Sequence, residues 1–260
     1  MLNLKHLALL IRKQAVENYR FYLLLMAIFT GLLVCLYALT YPALRRPRDY
    51  QQVLFIASLF MGGCVFTNLL TKDLHENTRS IWFLMLPASA LEKLLNLLFY
   101  AVVLFVPLHL LLFYAVDVPT VAIYNARHPE NPSARVLDLL GEGAEIASNY
   151  FVFLAVQAAV LTGSIYFRQY SLVKSVLGVF ACYIILFYLN GLLAAMLMDA
   201  KIADAFPLVG FTVIENEAAG IHTSVTLPET ARPAVAFAVK YLPAPVLWLV
   251  AYFKLKEREV

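Results

Sequence analysis

Few residues in this 260-residue chain could do chemistry, and most of those lie outside its apolar runs. Of five histidines only His109 falls within a long apolar stretch; His6, His75, His128 and His222 lie in polar segments. Imidazole titrates near neutral pH, so a histidine in an apolar span is a functional candidate, although a neutral ring bonded to a neighbouring helix satisfies the same position. Asn68, Gln157 and Asn190 are amides in apolar runs and admit the same two readings: they line a translocation path, or they hydrogen-bond between helices. An intramembrane enzyme using His109 would need a carboxylate or second histidine at the same depth, and the apolar runs contain none. No G-x-x-x-x-G-K-[ST] phosphate loop, H-E-x-x-H zinc pair or G-x-S-x-G elbow is present. No catalytic residue and no metal site is expected on this chain. Cys35, Cys64 and Cys182 sit in apolar runs, where a thiol acts as a small hydrophobe, and no Cys-x-x-Cys pattern occurs.

The elements that would position these groups follow from composition. The chain is 62% hydrophobic and 14% charged, far more apolar than a soluble domain. A net charge of +3 with scattered cations gives no footprint for nucleic acid. Crossing a hydrocarbon core of about 30 Å takes about 20 apolar residues in a helix, which satisfies its own backbone. The expectation is a single domain over 1–260, an all-α integral membrane protein with six transmembrane helices at about 22–41, 53–71, 94–116, 146–167, 175–198 and 234–253. The last contains Lys240, Pro243 and Pro245. The basic lead followed by a charge-free run from Phe21 to Leu44 is too long for a cleaved signal and reads as a retained anchor. With both termini inside, 12 Lys and Arg residues are cytoplasmic and 8 are outside, despite Arg45, Arg46 and Arg48 in the first outer loop. Tyr37, Tyr41, Tyr114, Tyr150, Tyr166 and Tyr252 fall near span ends as an aromatic belt. Gly62 and Gly63 suit close helix packing.

Three stretches outside the spans carry information. Residues 3–19 place Leu4, Leu7, Ala8, Ile11 and Ala15 on one helical face, the pattern of an amino-terminal interfacial helix or of a solvated lead into the first span. Residues 117–145 read as a Pro-, Asn- and Gly-rich loop with at most a short helix near 134–140. The apolar patch 205–214 is too short to cross and reads as a re-entrant or interfacial element.

The segment between the second and third runs is the most distinctive. Ser89 and Glu92 form an S-x-x-E capping box before an apolar run, and upstream lies a charged stretch ending in Ile81, Trp82 and Phe83. A connection of about twenty residues carrying a Trp exceeds what joining two helices requires.

This order of elements resembles the membrane permease subunit of the ABC type-2 transporter family. Residues Leu84-Met85-Leu86-Pro87-Ala88-Ser89-Ala90-Leu91-Glu92-Lys93 resemble the LP-x-S-x-x-E-K stretch of bacterial members, and Phe253-Lys254-Leu255-Lys256-Glu257-Arg258-Glu259 resembles their tail. The resemblance covers the whole chain by layout and these two stretches by motif. It implies an ATP-driven exporter in the bacterial inner membrane, with a cytoplasmic coupling helix in which Asp73, Glu76, Arg79 and Trp82 dock on a separate ATP-binding subunit. ATP and magnesium would sit on that partner, this chain would bind no cofactor and be no enzyme, and a second permease copy or paralogue would complete the pathway among membrane lipids. A membrane scaffold or sensor without transport, or the intramembrane enzyme above, are the alternative readings.

Overall fold

The structure, a computed structural model, describes residues 3–40, 47–74, 85, 88–127, 135–137, 143–167, 169–198, 202–206, 210–216, 221–226 and 232–259. Helices dominate: α1 (Leu4–Thr40), α2 (Pro47–Leu70), α3 (Ala90–Leu98), a π-helical segment (Phe99–Leu104) continuing into α4 (Phe105–Arg127), α5 (Gly143–Tyr166), α6 (Ser171–Met198), α7 (Arg232–Tyr241) and α8 (Pro243–Glu259). Among the described residues, five helical stretches are long and apolar enough to cross a membrane, within 4–39, 50–70, 90–127, 149–166 and 171–192. The chain is a multi-pass membrane protein in this sense. The expected sixth span, 234–253, is instead two shorter helices, α7 and α8, because Pro243 lacks an N–H to continue a helix but suits the first turn of a new one.

Contacts between side chains give each stroke its direction. The start of α1 meets the start of α3 through Asn3 and Glu92, and its end meets α4 through Tyr37 and Asp117, so the two run the same way. Against them α2 runs antiparallel, pairing Gln51 with Asp117 and Ser58 with His109. Helix α5 follows α2, with Phe153 beside Phe60 and Gln157 on Thr67. Helix α6 starts beside the end of α2, where Ser171 bonds Asn68. The α7–α8 pair runs with α5: Tyr241 meets Phe151, Thr162 bonds the Leu247 carbonyl, and Lys254 lies over Tyr166. Successive strokes therefore alternate, and the beginning of α1 and the end of α8 lie at one end of the bundle.

Two cores divide the bundle. Near the far end, Leu33, Tyr37, Phe55, Leu59, Phe113, Val121 and Phe153 pack together. At the end holding both termini, Leu70, Leu74, Ala90, Leu94, Leu97, Leu161, Ala251 and Leu255 form the second. The capping box is present as expected: Ser89 accepts from the Glu92 N–H at 3.3 Å, and the Glu92 carboxylate accepts from the Ser89 N–H at 2.9 Å. Its other oxygen accepts from the Asn3 N–H at 2.7 Å, so one carboxylate ties together the first turns of α1 and α3.

Several expectations are corrected. The interfacial helix at 3–19 is not a separate element: no Gly or Pro stands between Leu4 and Phe21, and α1 continues unbroken for 37 residues. Tyr37, placed in the belt, is core. Residues 117–127, expected as loop, extend α4 through Pro119, and Val121 packs in the far core. Residues 135–137 are not helical. Residues 205–206 and 210–214 of the apolar patch lie in an antiparallel meander of β1 (Ile202–Phe206), β2 (Gly210–Asn216) and β3 (Ile221–Thr226), so strands accompany the helices among the described residues. The apolar residues of the patch are mostly β-branched or aromatic, types that favour strands.

Candidate functional site

Three sets of polar bonds are strung along α2, which lies between α4, α5 and α6: Gln51 and Ser58 bond α4, Thr67 bonds α5 and Asn68 bonds α6. These rungs stand about 10 and 14 Å apart at 1.5 Å per residue.

The far rung centres on Asp117, which is wholly buried. Its Oδ1 accepts from the Tyr37 hydroxyl and the Gln51 Nε2, both at 2.8 Å, and its Oδ2 accepts from the Leu137 N–H at 3.2 Å. Gln51 also donates to the Arg135 carbonyl at 3.2 Å. Thus α1, α2, α4 and residues 135–137 meet on one carboxylate. The sequence reading missed this group by treating Asp117 as the first loop residue. The available signal was its setting, a lone carboxylate with apolar residues on both sides.

The middle rung is His109, 1% exposed, with Nε2 at 3.0 Å from the Ser58 Oγ. Phe29, Phe55, Phe105 and Phe113 surround its ring at centroid distances of 5.2 to 6.3 Å. Ser58 also lies 3.0 Å from the Phe55 carbonyl and has one proton for two acceptors. When that proton goes to the carbonyl, Nε2–H donates to Oγ and Nδ1 is left as a bare lone pair. The opposite tautomer strands a buried N–H, the costlier arrangement. Nδ1 has no partner among the described residues. Asp117 lies two turns further along the same helix, about 12 Å away, and its bonds go elsewhere, so no His–carboxylate pair forms here.

The near rung joins Gln157 and Asn68. Gln157 Nε2 donates to Thr67 Oγ1 at 3.1 Å and to the Ala101 carbonyl. Ala101 lies in the π-helical segment, where the i→i+5 pattern disturbs the regular ladder and makes a carbonyl available to a side chain. Asn68 Oδ1 accepts from Ser171 at 2.6 Å, and Ser175 donates to the Ser171 carbonyl at 2.6 Å.

Of the four amide and imidazole candidates, the fold brings Asn68 and Gln157 to one level of α2, on separate partners, and leaves His109 apart. Asn190, half-buried on α6, is about 28 Å along the helix from Ser171. Among the docking residues, Glu76, Arg79 and Trp82 lie outside the described residues. Asp73 falls in a 3₁₀ turn over Lys72–Leu74, its side chain likewise undescribed. Both flanks of that segment are fixed: Leu74 and Ala90 are buried in the core that holds both chain ends. Among the described residues no cluster of three or more His, Cys, Asp or Glu side chains could hold a metal ion. Comparisons with protein-family models, with characterised proteins and with solved structures find no match to this chain.

Proposed function

We propose that this chain is the permease subunit of an ATP-driven exporter of the ABC type-2 kind, crossing the bacterial inner membrane six times, with α7 and α8 together making the sixth crossing, and with both termini in the cytoplasm. The segment from 72 to 86 docks on a separate ATP-hydrolysing subunit, and a second permease copy or paralogue completes the pathway. The observation that carries this reading is the seating of both flanks of the segment. Leu74 and Ala90 share one core with Leu94, Leu161 and Leu255, so a push on the segment would reach α3, α5 and α8 together. The alternating strokes, which put both chain ends at that same end, support the topology. The missing phosphate loop suits a chain whose ATP is hydrolysed by a partner.

The test is the double variant Trp82→Ala with Glu76→Lys. The expected outcome is loss of the ATP-binding subunit on co-purification, with an anchor cost of about 2 kcal/mol or more, and loss of substrate-stimulated ATP hydrolysis at unchanged membrane insertion. Wild-type stoichiometry with unchanged stimulated ATPase activity would sink the docking assignment.

A further inference from the structure

An apolar groove of about 420 Å³ runs between the first half of α1 and the π-helical segment, lined by Ile11, Ala15, Tyr22, Met26, Phe99 and Leu104, with Tyr19 at its lip. We propose that it binds one acyl chain of an anionic phospholipid whose phosphate is held by Arg20.

Each of the lining hydroxyls already takes part in a hydrogen bond within the protein. Tyr100 donates to the Ile11 carbonyl at 2.6 Å, Gln14 donates to Tyr22 at 3.2 Å, and Arg20 Nε donates to Tyr19 at 2.8 Å. The groove therefore presents hydrocarbon, a surface that an acyl chain of the surrounding bilayer can cover.

Charge identifies the headgroup. Residues 3–20 carry Lys5, Arg12, Lys13 and Arg20 against the single acid Glu17. Glu17 pairs with Lys13 at 3.8 Å, and the nearby Glu92 is occupied by the Asn3 and Ser89 N–H groups. Arg20 is exposed and is steadied at the lip, its guanidinium carbon 5.6 Å from the Tyr19 ring centroid. Its terminal amino groups are left for a phosphate, which a guanidinium fork grips through two parallel bonds. Depth agrees as well. Arg20 is the last charged residue before the run 21–44, so it stands at the boundary between headgroup and acyl chain, with Tyr22 and Met26 further in. The site does not depend on the transport reading; it needs only that the chain sits in a membrane.

The test uses full-length protein in vesicles with Leu23→Trp as the only tryptophan, in a Trp82→Phe, Trp248→Phe background. Quenching is compared between chain-brominated phosphatidylglycerol and phosphatidylcholine. The expected result is half-maximal quenching at about fivefold lower mole fraction of the anionic lipid, the factor one arginine contributes at a membrane surface, with parity in Arg20→Gln. Filling the groove with Ala15→Phe should reduce quenching by both lipids. Equal quenching in the parent leaves only non-selective surrounding lipid and overturns the proposal. So does a preference that survives Arg20→Gln, and so does quenching by neither lipid, which means that a protein surface covers the groove. Phosphatidylglycerol retained through detergent purification, present in the native chain and lost in Arg20→Gln, reads the same assignment without the reporter background.

Discussion

Over 50–70, α2 buries 33% of its span inside the protein, whereas α6 over 171–192 buries 6% although both runs are strongly apolar. Lipid tails solvate Leu and Val as well as a protein interior does, so hydropathy cannot choose between these fates. The helices differ in what they offer a neighbour. Helix α2 carries Gln51, Ser58, Thr67 and Asn68, each bonded across to another element. It also carries Gly62 and Gly63, against which Phe29, Phe105 and Phe153 pack so closely that a Cβ on Gly63 would collide with the Phe153 ring. On α6, Ser171 bonds Asn68 and Ser175 bonds the Ser171 carbonyl, and a Cβ on Gly178 would meet nothing within 4 Å. Polar bonds and ring-to-backbone packing therefore place a helix inside the bundle, and their loss should be felt on α2 far more than on α6.

The largest expected effect is at the far rung. Asp117→Ala would remove the acceptor shared by the Tyr37 hydroxyl, the Gln51 amide and the Leu137 N–H, at a cost of about 3 kcal/mol or more. Reversible unfolding in mixed micelles measures this, and a loss under about 1 kcal/mol would show that water or a rearranged loop serves these donors. Gly63→Ala comes next, expected to cost about 1 to 3 kcal/mol through overpacking against Phe153. Its counterpart Gly178→Ala should be neutral or stabilising by up to about 1 kcal/mol, since Ala favours a helix and the space is open. Equal effects from the two substitutions would break the comparison. The smallest expected loss is at the near rung, where Gln157→Leu should cost about 1 to 2 kcal/mol by removing the bonds to Thr67 and Ala101. If Asn190→Leu abolishes transport at unchanged stability, Asn190 belongs to the translocation path rather than to helix packing.

Much of this architecture was legible as a string of residue types. Charge-free runs of about twenty residues located the long helices to within a few residues at most ends, because the cost of an unpaired backbone group in hydrocarbon leaves a helix as the available solution. The Ser89 and Glu92 box located the start of α3, since those two side chains answer donors of the turn they precede. Pro243 was visible as an interruption, and the structure turns it into the start of a new helix. Where the pattern was local, the reading held. It fails where a choice depends on something distant: α1 continues through its charged lead while leaning on α3 and the π-helical segment, and β1, β2 and β3 pair as strands.

The candidate site divides in the same way. Residue type and hydropathy alone determined that His109, Asn68, Gln157 and Asn190 stand in apolar runs and must each find a partner or a path. Only the tertiary structure decided which partner: Ser58 for His109, Ser171 for Asn68, and Thr67 with the Ala101 carbonyl for Gln157. It alone revealed Asp117 as the meeting point of two helices besides its own and of residues 135–137, drawn from positions 20 to 80 residues away in the chain. The reason is physical. Hydropathy measures the transfer of one residue out of water, whereas a hydrogen bond inside a membrane depends on two groups arriving at the same depth and facing each other, which no single position in the sequence encodes.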